Sequence, residues 1–494
     1  MSETIVETIY GKLRGSQRDG IHVFQGIPFA AAPTGPRRFR PPEPPASWTG
    51  VRDGTKPGPI APQPPPPFET FVGMTLPAWD ENCLSLNVWT PALDGGRRPV
   101  MVWIHGGAFV NGTAATPWYD GARFAAHGDV VVVTINYRLG AFGFLHLAPF
   151  DDRFSGAGNA GILDQIAALR WVRDNIGAFG GDPDQVTVFG ESAGGMSVGT
   201  LLGTPDAQGL FHRAIVQSGS ASFVSDADAA TDVAERVLAK LGLSRSSVGT
   251  IVGVPAQQIL DAQTAVFEQE WRLQLPFQPV VDGVYLPRRP LDMIASGETG
   301  GVPLLIGTNA DEMTLFLALD PSLGAIDDAA LAARMHEVFG DRGDDALQTY
   351  FRNHGRQPSS NALVALETDR FFRIPSIRLA EADVRAGRPV YMYLFAWETP
   401  AFDGILRSAH ALELPFVWDA LDKDGVTIFT GDGPERHGLA RDMYQRWIGF
   451  AREGDPGWPR YDTERRPVMV FDGSGSRVVD DPGGDERRLW DGIA

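Results

Sequence analysis

The strongest constraint on the fold of this chain is a sharp bend around one serine, in the sequence GESAGG at residues 190–195. Residues 185–189 before it are short, apolar and β-branched and predict a buried strand, while residues 193–202 after it predict a helix. Glycines two residues before and after Ser192 leave the backbone room to turn between these elements. The sequence therefore predicts a nucleophile elbow, in which the Ser192 hydroxyl is exposed near the N–H groups that begin the helix.

Glycine is so frequent here, at 57 of 494 residues, that the serine pattern could arise by chance. Whether the pattern marks a nucleophile therefore depends on the elements around it. Short apolar β-rich runs alternate with helical stretches along the chain, which predicts a mostly parallel central sheet with helices on both faces. With the elbow, this indicates the α/β-hydrolase fold. Strands are predicted at residues 84–90, 100–104, 130–135, 185–189, 214–217, 303–306, 390–395 and 468–471, and helices at 161–175, 193–202 and 435–452.

The remaining segments are predicted to elaborate one catalytic domain spanning residues 1–494. Residues 226–263 and 320–386 read as helical insertions over the active-site edge of the sheet. Residues 41–67 are dense in proline, which excludes helix and central strand and predicts an extended surface loop.

Composition restricts the class of protein. The chain has 61 acidic and 43 basic residues and a formal charge of −18, which opposes binding to nucleic acid or to an anionic membrane. No apolar run is long enough to cross a bilayer, and the N-terminus lacks a secretory pattern. A single cysteine, Cys83, excludes an intrachain disulfide. We therefore expect a cytoplasmic protein that binds neither nucleic acid nor membrane; the sequence does not indicate its oligomeric state.

A serine nucleophile requires a general base, which follows serine and acid in this fold. Of the histidines after Ser192, His410 is the best placed, in a loop of small residues beyond the predicted strand 390–395. His212 precedes any loop that could hold the acid, His336 lies in a helical pattern and His437 lies at a predicted helix start. The full set of candidates is His212, His336, His354, His410 and His437.

The acid is predicted to follow the strand at residues 303–306, where the loop contains Asp311 and Glu312. Either carboxylate could orient the histidine, and both could instead cap the following helix, so the residue pattern leaves the choice open. The donors for a developing oxyanion are expected from Ala193 N–H and from the glycine-rich sequence at residues 105–109. Glycine there lets the backbone approach a substrate oxygen closely.

At these motifs the chain resembles the type-B carboxylesterases, the carboxylesterase and cholinesterase family, and especially its bacterial p-nitrobenzyl-esterase-like members. The resemblance extends nearly from end to end and includes residues 24–30, 81–88, 105–109, 158–165, 179–183 and 190–195. It implies that Glu312 is the acid, since the family has a glutamate in a G-x-N-x-x-E stretch, and that His410 is the base. It also assigns the oxyanion donors to Gly107, Ala108 and Ala193.

The resemblance implies hydrolysis of small carboxylic esters through an acyl-enzyme intermediate, without a metal or cofactor. The family pattern usually pairs the cysteine at position 83 with one in the preceding loop, but Ala61 occupies that place here. Leucines near the expected acyl pocket predict a roomier site than in acetylcholinesterase-like members. The candidate pocket residues are Phe109, Met196, Leu273, Leu275, Phe277, Phe316 and Phe372.

One alternative is a non-catalytic, cholinesterase-like interaction domain similar to the neuroligin-like adhesion proteins. Such proteins lose the serine or its partners, whereas this sequence retains all three. Amidase or thioesterase side activity is also compatible with the sequence.

Overall fold

The computed structural model describes residues 4–270, 275–320, 322 and 326–493. Strands in these ranges are β1 (Thr4–Thr8), β2 (Gly11–Arg18), β3 (Ile21–Pro28), β4 (Val51–Asp53), β5 (Ser85–Thr90), β6 (Arg98–Ile104), β7 (Val131–Ile135), β8 (Gly181–Glu191), β9 (Arg213–Gln217), β10 (Ser225–Asp226), β11 (Val280–Val281), β12 (Leu304–Asn309), β13 (Val390–Phe395), β14 (Pro467–Asp472) and β15 (Gly475–Asp480).

The centre of the main sheet is parallel, with strand order β7-β6-β8-β9-β12-β13-β14. Antiparallel strands extend it at both ends: β5, β3, β2 and β1 beyond β7, and β15 beyond β14. Strand β4 pairs with β2, and β10 pairs with β11 in a separate ribbon. The predicted α/β-hydrolase architecture with a mostly parallel sheet is therefore confirmed.

Helices flank the sheet. They are α1 (Pro67–Phe71), α2 (Ala122–Gly128), α3 (Gly140–Phe144), α4 (Ala160–Asn175), α5 (Ala193–Leu202), α6 (Ala227–Lys240), α7 (Ala256–Glu270), α8 (Pro290–Ala295), α9 (Met313–Leu319), α10 (Asp328–Phe339), α11 (Gly343–His354), α12 (Ser360–Thr368), α13 (Ile374–Arg385), α14 (Leu414–Val417), α15 (Val426–Thr430), α16 (Glu435–Glu453) and α17 (Gly484–Leu489). Across the described ranges, no helix combines the length and the hydropathy needed to cross a bilayer.

Helices α6 and α7 occupy the first predicted insertion, and α10 to α13 occupy the second. The assignment of the chain to one catalytic domain stays a prediction. The proline-rich residues have no regular secondary structure except for β4, a short exposed strand, and for the start of α1 at Pro67.

The core has two parts because the central strands are covered on both faces. Along β6, Val100, Val102 and Ile104 pack into one apolar cluster, whereas Met101 and Trp103 pack into the other. This alternation follows from the two-residue period of a strand. All five residues are fully buried, which explains why this strand is apolar throughout rather than alternately polar.

The site is positioned by a reversal of strand order around β6. The chain passes from β6 to β7 on one side and later returns to β8 on the other side. At such a switch point the loops after the two parallel strands separate and leave a crevice at their carboxyl ends. The loop at residues 105–112 follows β6, and Ser192 follows β8, so both border this crevice.

A buried ion pair joins the loop after β7 to α4. The Arg138 Nη2 and Nε atoms lie 2.6 Å and 2.7 Å from the Asp164 carboxylate, which also accepts the Arg138 backbone N–H at 3.0 Å. The exposed fractions of the two side chains are 3% and 0%. Removing the acid would leave an unpaired guanidinium inside the protein.

We expect Asp164→Ala to lower the free energy of unfolding by about 3–5 kcal/mol, because the remaining arginine charge stays buried. Asp206→Ala is the control, since its 3.6 Å pair with Arg170 of the same helix is exposed. It should cost less than about 1 kcal/mol. Urea denaturation of the two variants measures the difference, and equal costs would contradict this account.

Candidate active site

Ser192 lies on a strained bend between β8 and α5. Its φ of 56° and ψ of −126° fall in a region that L-residues rarely adopt. The surrounding backbone holds this conformation: Ser192 N–H donates to Gln217 O at 2.9 Å, and Ser192 O accepts from Met196 N at 2.8 Å. A Cβ at Gly190 would collide with the Gly194 backbone, and one at Gly194 would collide with Ile104 O. Both glycines predicted for the elbow are therefore sterically required.

Glu312 and His410 form a short hydrogen bond inside the protein. His410 Nδ1 donates to Glu312 Oε2 at 2.6 Å. The other oxygen, Oε1, accepts from Asn309 N–H at 2.7 Å and from the Ser218 hydroxyl at 2.6 Å. Both carboxylate oxygens are thus bound, and the carboxylate is fully buried. These bonds fix the orientation of the imidazole ring.

The structure separates the two acids that the residue pattern left open. Asp311 points away from His410, with its carboxylate 3.5 Å from the Arg407 guanidinium. Its backbone N–H donates to Ser408 O, while Glu312 begins the turn into α9. Of these adjacent residues, Glu312 is the one in contact with the histidine. His410 also lines the cavity that contains Ser192, whereas His212, His336, His354 and His437 do not.

Glu191, the residue before the serine, lies next to the imidazole. Its Oε1 is 3.1 Å from His410 Nε2, the ring nitrogen that is not bonded to Glu312. Among the described residues, no hydrogen bond joins the Ser192 hydroxyl to His410. Bonds of this kind are often long without substrate and tighten when substrate binds. The residue pattern assigned no role to Glu191, although its position in the elbow motif was a signal.

Burial and neighbouring carboxylates shift the pKa values of this cluster. Burial alone lowers the pKa of His410, but Glu191 and Glu312 outweigh it and raise that pKa to about 9. Burial raises the pKa of Glu191 to about 8. The pKa of Glu413 is also raised, first by burial and then by Glu312. The Glu413 carboxylate accepts from Gln217 Nε2 at 3.0 Å and from Asn309 Nδ2 at 2.8 Å.

The glycine-rich loop after β6 lies directly beside the serine. A Cβ added at Gly106 would be 3.0 Å from Ser192 Cβ. Gly107 and Ala108 line the cavity, with φ values of 108° and 53°. Ala193 is fully buried as the first residue of α5, where its N–H has no intrahelical acceptor. The three predicted donors thus surround the position of the serine.

The cavity has a volume of about 500 Å³. The candidate residues Met196, Leu275, Phe316 and Phe372 line it, and the rings of Phe316 and Phe372 lie 5.1 Å and 4.8 Å from the His410 ring.

Two other candidate pocket residues lie in the core and do not line this cavity. Phe109 is fully buried beneath the loop, where it packs edge-on against Phe144, and Phe277 is fully buried in the core. The backbone at Phe109 has a positive φ of 61°. Leu273 lies outside the described residues.

Part of the wall was not predicted from the sequence. Pro64, Pro65 and Pro67 of the proline-rich segment line the cavity, together with Phe68 directly after it. Side chains of α7 complete this wall: Gln263, Thr264, Phe267 and Glu268. The proline run signalled a rigid loop, but it carried no information about the surface against which the loop packs.

Comparison with known proteins establishes the family of the chain. The model of the carboxylesterase family matches residues 2–490. The chain belongs to the carboxylesterase family.

Two relatives and one solved structure of this carboxylesterase family cover almost the whole chain. The para-nitrobenzyl esterase of Bacillus subtilis (strain 168) is 41% identical over 99% of this chain and 98% of its own length. The phenmedipham hydrolase of Pseudarthrobacter oxydans is 36% identical over 97% of each chain. The structure of Geobacillus stearothermophilus carboxylesterase EST55 is 45% identical, with a TM-score of 0.90 over 99% of this chain and 100% of that chain. The protein is thus a carboxylic ester hydrolase of the serine carboxylesterase type, and the non-catalytic alternative is not favoured.

The proximity of Glu191 to His410 predicts a change in pH dependence. The negative charge of Glu191 raises the pKa of His410, so Glu191→Gln should lower it. A histidine base acts only when it is neutral, and a lower pKa keeps it neutral at lower pH. We expect the acid limb of the kcat/KM profile to move to lower pH in this variant.

Asp311→Asn is the matched control, because that acid lies beside Glu312 in sequence but contacts Arg407. Its acid limb should remain at the wild-type position. A limb that stays fixed or moves to higher pH in Glu191→Gln would contradict the electrostatic interpretation.

Proposed function

We propose that Ser192, His410 and Glu312 carry out this ester hydrolysis as a catalytic triad, through an acyl-enzyme intermediate. The observation that carries the proposal is the 2.6 Å bond between Glu312 and His410 at the cavity that also holds Ser192. The strained elbow supports it, because a hydroxyl held at the start of α5 is accessible to substrate. The enclosing apolar wall suits an uncharged ester.

Acylation moves one proton from Ser192 to His410 and then one from His410 to the departing alcohol. His410 Nε2 takes the proton from the Ser192 hydroxyl while the serine oxygen bonds to the ester carbonyl carbon. The carbonyl oxygen becomes negative and accepts hydrogen bonds from the N–H groups of Gly107, Ala108 and Ala193. The tetrahedral intermediate then collapses, the bond to the alkoxy oxygen breaks, and His410 gives its proton to the departing alcohol.

Deacylation repeats these steps with water. His410 takes a proton from the water molecule, whose oxygen bonds to the acyl carbon, and the bond to the serine oxygen then breaks. The carboxylic acid leaves and Ser192 regains its proton. Glu312 accepts the Nδ1 hydrogen bond, which holds the imidazole in the useful tautomer and stabilises the imidazolium form.

The cellular setting is also part of the proposal. Cys83 is buried as a free thiol, which suits a reducing cytoplasm. The formal charge of −18 disfavours nucleic acid and anionic membrane as partners. We therefore assign the chain the role of a single-domain cytoplasmic enzyme acting on small-molecule esters.

Replacing the candidate nucleophile tests the triad directly. We expect Ser192→Ala to lower kcat for p-nitrophenyl acetate by at least about 10⁴-fold, because no other group forms the acyl-enzyme. An organophosphate should add its mass to the wild-type protein but not to this variant, as read by intact-protein mass spectrometry.

Ser197→Ala is the control, since Ser197 is a buried serine on the same helix whose hydroxyl is bonded to Gln165. It should retain labelling and turnover. Wild-type activity in Ser192→Ala would remove the basis of the mechanism.

The cavity also has a charge preference. Glu69, Glu268 and Asp320 line it, and His410 is the one basic side chain among the described residues of its lining. These carboxylates repel a substrate that carries its own carboxylate, and the low-dielectric wall strengthens the repulsion. We infer that the enzyme takes neutral and cationic esters in preference to anionic ones.

Matched aryl esters test this inference. We expect a lower kcat/KM for p-nitrophenyl hydrogen succinate than for p-nitrophenyl butyrate, with a difference that shrinks as salt is added. Desolvation of the succinate would also slow it, so Glu69→Gln combined with Asp320→Asn isolates the charge contribution. That double variant should gain succinate activity selectively; an unchanged ratio would exclude a role for these acids.

A further inference from the structure

One glutamine of the proline-rich loop is bonded to the loop of the predicted oxyanion hole. Gln63 Nε2 donates to Gly112 O at 2.9 Å, and Gly112 N–H donates to Gln63 Oε1 at 2.9 Å. The same Nε2 donates to Ala61 O at 3.1 Å, and the side chain is 4% exposed. The amide group thus pairs with both backbone groups of Gly112, as a neighbouring β-strand would. We refer to this pair of bonds as the Gln63 clamp.

Gly112 is packed closely against the start of the loop. Its φ is 109°, and a Cβ there would collide with Gly106 O and His105 Nδ1. The clamp therefore holds backbone atoms against the His105 side chain and the Gly106 carbonyl. A second bond joins the same two segments, because Asn111 Nδ2 donates to Pro64 O at 3.1 Å.

The carbonyl oxygens of the loop determine where its N–H groups point. A peptide group is planar and trans, so fixing its C=O also fixes the N–H on the opposite side. His105 Nδ1 bonds Gly106 O at 2.9 Å, which fixes Gly107 N–H. Gly107 O accepts from Val110 N at 3.0 Å and from Asn111 N at 2.9 Å, which fixes Ala108 N–H. The Gly107 and Ala108 donors are thus each aligned through the carbonyl of their own peptide.

His105 has the protonation state that this arrangement requires. A carbonyl oxygen can only accept, so Nδ1 is the protonated nitrogen. Burial lowers the pKa of His105 to about 4, which keeps the ring neutral at physiological pH. Its ring stacks on Tyr137 at 4.5 Å, and the Tyr137 hydroxyl donates to His105 O at 2.9 Å. Tyr137 therefore holds His105 in place, and the His105 ring also contacts Gly112.

We propose that Gln63 is a positioning residue for ester hydrolysis, which aligns the Gly107 and Ala108 donors by holding Gly112 against His105 and Gly106. The inference rests on the oxyanion role assigned under the proposed function. Gln63 touches no reacting atom in this account. Its effect reaches the substrate oxygen through two backbone segments that contain no regular secondary structure.

The test removes the clamp and preserves side-chain size. Gln63→Met should lower kcat for p-nitrophenyl butyrate by about 10- to 100-fold, because misplaced donors act mainly on the transition state. KM should change by less than about threefold, since the ground-state carbonyl depends less on these donors. Affinity for a trifluoromethyl ketone, which forms an oxyanion on Ser192, should fall in parallel with kcat.

Asn159→Leu is the matched control, because Asn159 forms an equivalent clamp away from the cavity. Its Nδ2 donates to Val280 O at 2.8 Å, and Val280 N–H donates to its Oδ1 at 2.9 Å. The side chain is fully buried. This variant loses the same type of buried bonds and should show wild-type kcat and ketone affinity at a temperature where both variants are folded.

Several outcomes would overturn the proposal: unchanged kcat in Gln63→Met, an equal loss in Asn159→Leu, or a rise in KM without loss of kcat. If Gln63→Met does not fold, Gln63→Glu is measured instead; it keeps the size and the acceptor for Gly112 N–H but removes the donor, so kcat should again fall. Failure of both to fold while Asn159→Leu folds would make Gln63 structural only. An active Ser192→Ala would instead refute the proposed function, which separates the two failures.

Discussion

The site depends on parallel strand pairing that continues past the ends of the strands. Ser192 N–H bonds Gln217 O at 2.9 Å, Ser218 N–H bonds Gly307 O at 2.8 Å, and Ala310 N–H bonds Phe395 O at 2.8 Å. Through these bonds the backbone pairing of β8, β9, β12 and β13 continues into the loops that follow the strands. Because carboxyl ends of parallel strands share one edge, residues separated by more than two hundred positions meet there. The loops are therefore rigid without being helical or extended.

This rigidity makes it possible to bury three carboxyl groups around one imidazole. Each has a different set of partners: Glu312 is bound at both oxygens, Glu413 is held by two amides, and Glu191 Oε1 faces His410 without a hydrogen-bond donor of its own. Burial raises the pKa of Glu191 to about 8, and the nearby imidazole opposes that rise. Glu312 is the carboxylate that hydrogen-bonds the imidazole, in the geometry that stabilises its cation.

Sequence patterns located the elbow, His410 and the glycine-rich loop because each is set by local chemistry: a turn that needs glycine, or a loop that follows a strand. The patterns did not separate Asp311 from Glu312. Adjacent side chains after a strand point in different directions, and only the folded structure shows which of the two side chains reaches the histidine. Phe109 and Phe277, two candidates for the cavity wall, are both fully buried in the core. Apolar character alone did not distinguish core from cavity wall, since large apolar side chains occupy both.

Chemistry and substrate range are carried by different parts of the chain. The candidate catalytic groups lie in segments that follow the central strands β6, β8, β12 and β13. The cavity wall comes instead from the proline-rich loop, from α7 and from the π-helical turn Asp369–Arg373. That turn presents Phe372 to the cavity while Asp369 and Arg373 pair at 2.9 Å behind it. Because these wall segments lie outside the strands that precede the catalytic groups, they can change in shape without disturbing the elbow. The Gln63 clamp is the exception, since it joins a wall segment to the donor loop, and changes in that wall should therefore alter rate as well as specificity.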